Sequence, residues 1–153
     1  MADLQADGSD VTEATVYNPG YAWRQGCAGV YATGVLHDDG TVYVWGTGEE
    51  GTLGCGEEIV EVTSPIPMPV PPSLGSVVFV QLVCGAQHMM ALSDKSHIFS
   101  WGENKHGQLG MATSSQGQAG DKQSQYSPVR VQALDASGVR QIACGARHSL
   151  ALT

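Results

Sequence analysis

Short runs of alternating apolar and polar residues recur along the chain, each bounded by turn-forming residues. The run 31–36 is followed by His-Asp-Asp-Gly-Thr and then by the run 42–45, which is rich in valine and aromatic residues. Two such runs joined by Asp-Gly predict a β-hairpin. The arrangement returns at 88–92 and 98–101, with a turn at 93–96. No stretch carries the 3.6-residue apolar period of an amphipathic helix, so the pattern predicts an all-β protein.

The two hairpins belong to a longer internal repeat. Residues 84–110 align with 28–54 after a shift of 56 positions, and residues 84–92 align with 144–152 after a shift of 60. Self-similarity at such a period predicts stacked supersecondary units, none of which buries its apolar face alone. The recurring positions are predicted to be structural, and they are Gly29, Trp45, Gly46, Gly51, Gly54, Gly85, His88, Trp101, Gly102, Gly107, Gly110, Gly145 and His148.

Each repeat is predicted to hold four short strands. After the hairpin and a glycine-rich turn, an extended segment starts at Ser64-Pro65 in one copy and at Ser127-Pro128 in the other. A further apolar run, 77–84 or 139–144, is predicted to close the unit. Four antiparallel strands per repeat are typical of a β-propeller blade.

The chain is expected to have two parts. Residues 1–22 are polar and acidic and are predicted to be a flexible tail. Residues 23–153 hold the repeats, with copies at about 28–83 and 84–143 and a partial copy at 144–153.

Two segments carry a family resemblance. Residues 143–152 (ACGARHSLAL) and 101–110 (WGENKHGQLG) resemble the regulator of chromosome condensation repeat. The likeness covers about 27–153 and is looser over 28–36, where Ala32 replaces the histidine of the pattern. It implies a seven-bladed β-propeller, of which this chain would supply about two blades and the start of a third. Further blades of the same chain, or self-association, are therefore expected to cover the remaining faces.

The charge balance excludes some partners. The chain has 15 acidic and 7 Lys or Arg residues, for a net charge of -8. This acidity argues against direct nucleic-acid binding, which needs clustered basic residues. No apolar run approaches the length of a membrane span, no signal segment opens the chain, and none of the four cysteines forms a C-x-x-C pair. An intracellular protein, cytoplasmic or nuclear, with reduced thiols and no membrane contact is expected.

Several motifs suggest chemistry but favour a structural interpretation. Residues 46–51 match G-x-G-x-x-G, yet no helical pattern follows and Glu49 and Glu50 would repel phosphate, so a turn is predicted and no cofactor. The Cys-His pairs at 84/88 and 144/148 recur in successive repeats and should be held apart, so no metal site is predicted. The tryptophans are assigned to packing.

The proline-rich stretch 65–72 leaves two interpretations open. Such density could form a polyproline II ligand, but the absence of Lys or Arg between 24 and 95 favours a connector between blades.

The candidate binding residues lie in two loops, 47–61 and 111–126. The first carries an acidic group that could dock a basic protein or could simply be solvated. The candidate residues are Glu49, Glu50, Glu57, Glu58 and Glu61 in the first loop and Gln116, Asp121 and Lys122 in the second.

No catalytic constellation is predicted, and a non-enzymatic protein-interaction module is the leading hypothesis. The resemblance implies an alternative, guanine-nucleotide exchange on a Ran-type small GTPase, although none of the namesake's exchange residues can be placed on this sequence. A third possibility is that these blades bind substrates or regulators for a larger enzyme such as a ubiquitin ligase.

Overall fold

The computed structural model of the chain describes residues 22–111 and 123–153. The candidate residues Gln116, Asp121 and Lys122, and the predicted tail up to residue 21, lie outside the described residues.

The first blade is a four-stranded antiparallel sheet in the order β1-β2-β3-β4. Its strands are β1 (Trp23–Ala28), β2 (Ala32–His37), β3 (Val42–Thr47) and β4 (Glu61–Pro67), with a single 3-10 turn at Glu49–Gly51. The predicted hairpin is confirmed, with Val35 opposite Tyr43. Alternating side chains point to opposite faces of such a sheet, so Ala32, Leu36 and their neighbours at every second position form one apolar face.

The second blade repeats this design, and a third begins after it. The second blade pairs β5 (Phe79–Cys84), β6 (His88–Ser93), β7 (Ile98–Gly102) and β8 (Gln125–Arg130) in that order. The described part of the third blade is the pair β9 (Gln141–Cys144) and β10 (Ser149–Leu152). Single 3-10 turns at Pro72–Leu74 and Gln132–Leu134 lie between the blades.

The sequence repeat and the blade are out of phase by one strand. The run 77–84 was predicted to close its own unit, but β5 pairs with β6 and so opens the next blade. Strand pairing depends on which edge the chain reaches after the connector, and sequence periodicity does not specify that edge. The proline-rich stretch contributes to β4 and then runs to β5, which confirms the connector interpretation.

The blades pack face to face, and each blade has a front face toward the next blade in chain order and a back face toward the preceding one. Gly34 lies on the front of blade 1, where an added Cβ would be 3.0 Å from Leu82 Cδ2 and 3.4 Å from Met89 Sδ. The buried residues at this interface are Ala32, Leu36, Val42, Val44, Leu53, Met68, Phe79, Leu82, Met89, Ala91, Phe99 and Trp101. A second cluster joins blade 2 to blade 3 through Met90, Leu92, Ile98, Val131, Val139 and Ile142.

Polar side chains also connect adjacent innermost strands. Gln25 Oε1 accepts a hydrogen bond of 3.0 Å from the backbone N–H of Leu82. Gln81, 56 positions later, bonds both the N–H and the carbonyl of Ile142, at 3.0 and 3.2 Å. A glutamine at this position therefore pairs with the backbone of the neighbouring blade, where no strand of its own sheet is available to do so.

The structure corrects the expectation that all cysteines are reduced. Cys27 at the end of β1 and Cys84 at the end of β5 form a disulfide, with Cα atoms 5.5 Å apart. Cys55 and Cys144 are free thiols. The pairing arises because β1 and β5 are adjacent innermost strands, a proximity that the separation of 57 residues conceals.

Candidate functional site

The candidate binding loops lie at one edge of the blades. Because the strands alternate in direction, the segments that follow β1, β3, β5 and β7 lie at the same edge. These segments include the loop 48–60 of blade 1 and the described parts of the loop 103–124 of blade 2. We call this edge the loop face.

The first half of the blade 1 loop is fastened to blade 2. The Thr52 hydroxyl lies 3.1 Å from the carbonyl of Gln87 and 3.0 Å from that of Glu49. The Thr52 carbonyl accepts a 3.0 Å hydrogen bond from the indole N–H of Trp101. Gly51 has φ +81°, and a Cβ there would lie 2.5 Å from the Gln125 carbonyl oxygen, so the close approach of the two blades requires glycine. This confirms that the G-x-G-x-x-G segment is a turn.

Glu50 connects the two blades at the surface. Its carboxylate accepts hydrogen bonds of 2.6 Å from both Lys105 Nζ and the Ser124 hydroxyl. Lys105 Nζ also lies 3.3 Å from Glu103 Oε1. These bonds hold the pKa of Glu50 below its ordinary value, with Lys105 the larger cause, and the same carboxylate raises the pKa of Lys105. Glu50 therefore has an intramolecular role that the sequence prediction did not foresee.

The second half of the loop stands away from the packed core. Residues 57–61, Glu-Glu-Ile-Val-Glu, form what we call the acidic arm. All five residues are exposed, including the large apolar side chains of Ile59 (38%) and Val60 (58%). Glu49 is exposed on the same loop. Of the predicted acidic group, Glu57, Glu58 and Glu61 are thus exposed in one short segment with two exposed apolar side chains, and Glu49 is exposed earlier on the same loop.

We expect the surface link and the buried link of this loop to differ in energy. Lys105→Gln should lower the free energy of unfolding by at most about 1 kcal/mol, because an exposed ion pair is screened by water. Thr52→Val should lower the free energy of unfolding by about 1–3 kcal/mol, since it removes the buried Thr52 hydroxyl that donates to the Gln87 carbonyl of blade 2. Urea denaturation of the two variants measures the difference. An equal or larger loss for Lys105→Gln would contradict this ranking.

A serine–histidine pair in the interior resembles a catalytic pair but cannot act as one. His88 Nε2 lies 2.9 Å from Ser149 Oγ, and Ser149 donates its hydroxyl hydrogen to the Gln108 carbonyl at 2.7 Å. The histidine must then donate from Nε2, which leaves no base for the serine. His88 is fully buried, and its Nδ1 has no hydrogen-bond partner among the described residues. Burial lowers the pKa of His88 to about 4, so the ring is neutral and structural.

The structure also locates the cysteine and histidine residues of the predicted Cys-His pairs. Cys84 is bonded to Cys27, and His88 bonds Ser149 of the next blade. Within 22–111 and 123–153, no three His, Cys, Asp or Glu side chains are grouped as a metal site would need. Over the same residues, no helix is long and apolar enough to cross a membrane. What the loop face offers is carboxylates and exposed apolar surface.

Comparisons with known proteins agree with this architecture. The chain is 39% identical over 127 residues to the human probable E3 ubiquitin-protein ligase HERC6, covering 83% of this chain and 11% of that protein. It is 32% identical over 112 residues to the Arabidopsis thaliana ultraviolet-B receptor UVR8, covering 73% of this chain and 23% of the receptor. The chain therefore spans a minor part of each of these relatives.

Solved structures show the same fold. Human WBSCR16 superposes with a TM-score of 0.69 at 31% identity, covering 86% of this chain and 31% of that structure. Prp20p of Saccharomyces cerevisiae, described with its binding to Gsp1p and histones, superposes with a TM-score of 0.73 at 16% identity, covering 87% and 31%. The regulator of chromosome condensation (RCC1) repeat model matches residues 39–92 and 95–152, and the chain belongs to that family.

Proposed function

We propose that the chain is a non-catalytic protein-interaction module that binds a basic protein partner through the acidic arm. The observation that carries the proposal is the exposure of Ile59 and Val60 among Glu57, Glu58 and Glu61 on a loop whose other half is fixed to the neighbouring blade. Exposed apolar side chains supply contact area, and the surrounding carboxylates steer and select a cationic partner. A rigid base limits the conformational entropy lost on binding.

The charge of the arm provides the test. The triple variant Glu57→Lys/Glu58→Lys/Glu61→Lys should lose a protein that the wild-type chain captures from an extract of its source cells. Asp94→Lys, an exposed charge reversal at the opposite edge of blade 2, is the matched control and should retain that protein. With the captured protein purified, its Kd should rise at least tenfold for the triple variant and should also rise with salt. Unchanged affinity for the triple variant would refute the proposal.

The similarity to ubiquitin ligases favours a second, compatible function. The chain aligns with about a tenth of the length of these relatives, so a propeller of this kind could serve as the substrate- or regulator-binding part of a larger enzyme. If so, the protein captured through the acidic arm should be ubiquitinated in a reconstituted reaction with a full-length ligase that contains this segment. The same reaction with the triple charge variant is the control.

Nucleotide exchange on a Ran-type GTPase has less support. Prp20p, which binds Gsp1p, shares 16% identity with this chain, and this level indicates the fold alone. A fluorescent-nucleotide release assay with a purified GTPase separates the hypotheses. Release faster than the uncatalysed rate would favour the exchange function, and release at the uncatalysed rate would exclude it.

A further inference from the structure

The Cys27–Cys84 disulfide is the covalent link between blades 1 and 2. Cys27 Sγ lies on the front face of blade 1, where it would be 3.6 Å from a Cβ added to Gly34. Cys84 lies at the end of the innermost strand of blade 2, and both cysteines pack against the buried cluster that joins the two blades. Neither residue is fully buried, so the pair lies where a small thiol in solution has access.

The repeat shows that this crosslink is additional to what the fold requires. The position of Cys27 is occupied by Val83 in blade 2 and Ala143 in blade 3, whereas the position of Cys84 is occupied by Cys144 in blade 3. Val83 and Cys144 pack against the cluster that joins blades 2 and 3. A valine and a free thiol therefore suffice at one interface, where the other has two cysteines.

The two free thiols are poor competitors for this disulfide. Cys144 Sγ lies 3.9 Å from the Ser149 hydroxyl, and Cys55 Sγ lies 3.4 Å from the Leu53 carbonyl oxygen. Burial raises the pKa of Cys144 to about 11 and also raises the pKa of Cys55. Because the thiolate is the reactive form, both react slowly near neutral pH. Exchange with a thiol from solution is thus confined to the crosslinked pair.

The disulfide fixes the spacing of two turns at the loop face. The turn 29–31 follows the first cysteine in blade 1, and the turn 85–87 follows the second in blade 2. A hydrogen bond of 2.9 Å from the Val30 N–H to the Ala86 carbonyl joins the two turns. Opening the S–S bond leaves this contact between exposed turns without its covalent support.

The same turns hold the loop that carries the acidic arm. The Tyr31 carbonyl accepts a 2.8 Å hydrogen bond from the Thr47 N–H, and the blade 2 turn accepts the Thr52 hydroxyl. The next residue, Gly48, donates its N–H to the carbonyl of Val60 in the arm at 2.7 Å. A change in the spacing of the turns is therefore transmitted through short hydrogen bonds to the base of the arm.

We propose that Cys27–Cys84 is a reversible disulfide that controls how firmly the acidic arm is held and thereby, in a step that rests on the proposed function, the affinity of the arm for its basic partner. The crosslink encloses residues 28–83, which include the whole arm, and removes conformational freedom from that segment. A preorganised arm loses less entropy on binding. The oxidised form is therefore the tighter binder.

A small thiol of the glutathione class supplies the electrons for opening. One glutathione thiolate attacks a sulfur of the disulfide, the S–S bond breaks, and the other cysteine leaves as a thiolate that takes up a proton. A second glutathione thiolate displaces the first, which releases the remaining cysteine and glutathione disulfide. Two electrons and two protons pass from two glutathione thiols to the protein, and glutathione disulfide closes the bond by the reverse steps.

Hydrogen exchange on the chain 1–153 tests the hold on the arm. The background Cys55→Ser/Cys144→Ser leaves only the pair, and alkylation with mass spectrometry should count no free thiols in oxidising glutathione buffer and two in reducing buffer. The N–H groups of Thr47 and Gly48 should exchange about tenfold faster in the reduced form. The Gly145 N–H, which bonds the hairpin of blade 3, should exchange equally in both forms.

Cys27→Val is the matched control, because it reproduces the valine and thiol that blade 2 and blade 3 use at this position. Its exchange should match that of the reduced protein in both buffers. Equal exchange in the oxidised and reduced forms of the parent, or a pair that does not open and close between the buffers, would overturn the proposal.

The purified protein captured through the acidic arm tests the control of affinity. Its Kd should be roughly three- to tenfold lower for the oxidised form than for the reduced form, and Cys27→Val should show no response to the buffer. Equal Kd values would overturn redox control, while loss of binding in the triple charge variant would still support the proposed function. Retained binding in the triple variant would refute the proposed function, and the exchange measurement would still decide whether the disulfide holds the arm.

Discussion

Replacing Trp101 by alanine is expected to lower the free energy of unfolding by about 3–5 kcal/mol, the usual cost of removing a large aromatic side chain from a core. Trp101 is fully buried between the blades and bonds the Thr52 carbonyl. Its ring also lies against Gly54, where a Cβ would be 2.9 Å from the indole. The substitution therefore removes packing between the blades, a hydrogen bond and part of the surface against which the blade 1 loop packs.

The repeat supplies a matched control. Trp45 occupies the equivalent position on the back face of blade 1, is only half-buried, and has no hydrogen-bond partner for its indole among the described residues. Trp45→Ala should cost much less than Trp101→Ala in chemical denaturation at a protein concentration low enough to keep the chain monomeric. Equal losses at the two positions would contradict the assignment of front and back faces.

Stability is also expected to fall with acidity through His88. Burial lowers the pKa of His88 to about 4 from its ordinary 6.5, with Glu103 opposing and His148 adding to the shift. Between these values the unfolded chain binds more protons than the folded one. The contribution of His88 is therefore fully present above pH 6.5 and declines as the pH falls toward 4, by up to roughly 3 kcal/mol.

The variant His88→Gln isolates this effect from the carboxylates, which also titrate in acid. The difference in unfolding free energy between wild type and variant should shrink as the pH is lowered from 7 to 4, as followed by urea denaturation. His106→Gln, at an exposed histidine of the loop face, controls for the loss of a histidine elsewhere. A wild-type-minus-variant difference that does not change with pH would show that the folded ring is protonated as readily as the unfolded one.

Local structure was predictable from the sequence because it depends on neighbours along the chain. The alternation of Val42 to Trp45 and the Asp39-Gly40 turn give the first hairpin directly. Contacts between blades were not predictable in this way. The Cys27–Cys84 disulfide and the Lys105–Glu50 ion pair join residues 57 and 55 positions apart, and only the stacking of two blades brings them together.

One inter-blade feature was present in the sequence and was missed. The repeat alignment places Gln25, Gln81 and Gln141 in register, so the same polar residue recurs in the innermost strand of each blade. A side-chain amide that recurs in the innermost strand of each blade indicates a hydrogen bond to the backbone of the next blade. By contrast, nothing local distinguishes Glu50 from Glu49, because the one that meets Lys105 is chosen by the backbone of the turn, where Glu50 has φ +59°.

A photo-crosslinking amino acid at position 60 is the most direct test of partner binding through the acidic arm. Val60 is 58% exposed within the arm, and Val78, 40% exposed at the opposite edge of the blades, is the control position. We expect a discrete crosslinked product from position 60 in extract of the source cells, absent from position 78 and lost when Glu57, Glu58 and Glu61 are changed to lysine. Equal products from both positions, or a product at 60 that survives the charge reversal, would contradict it.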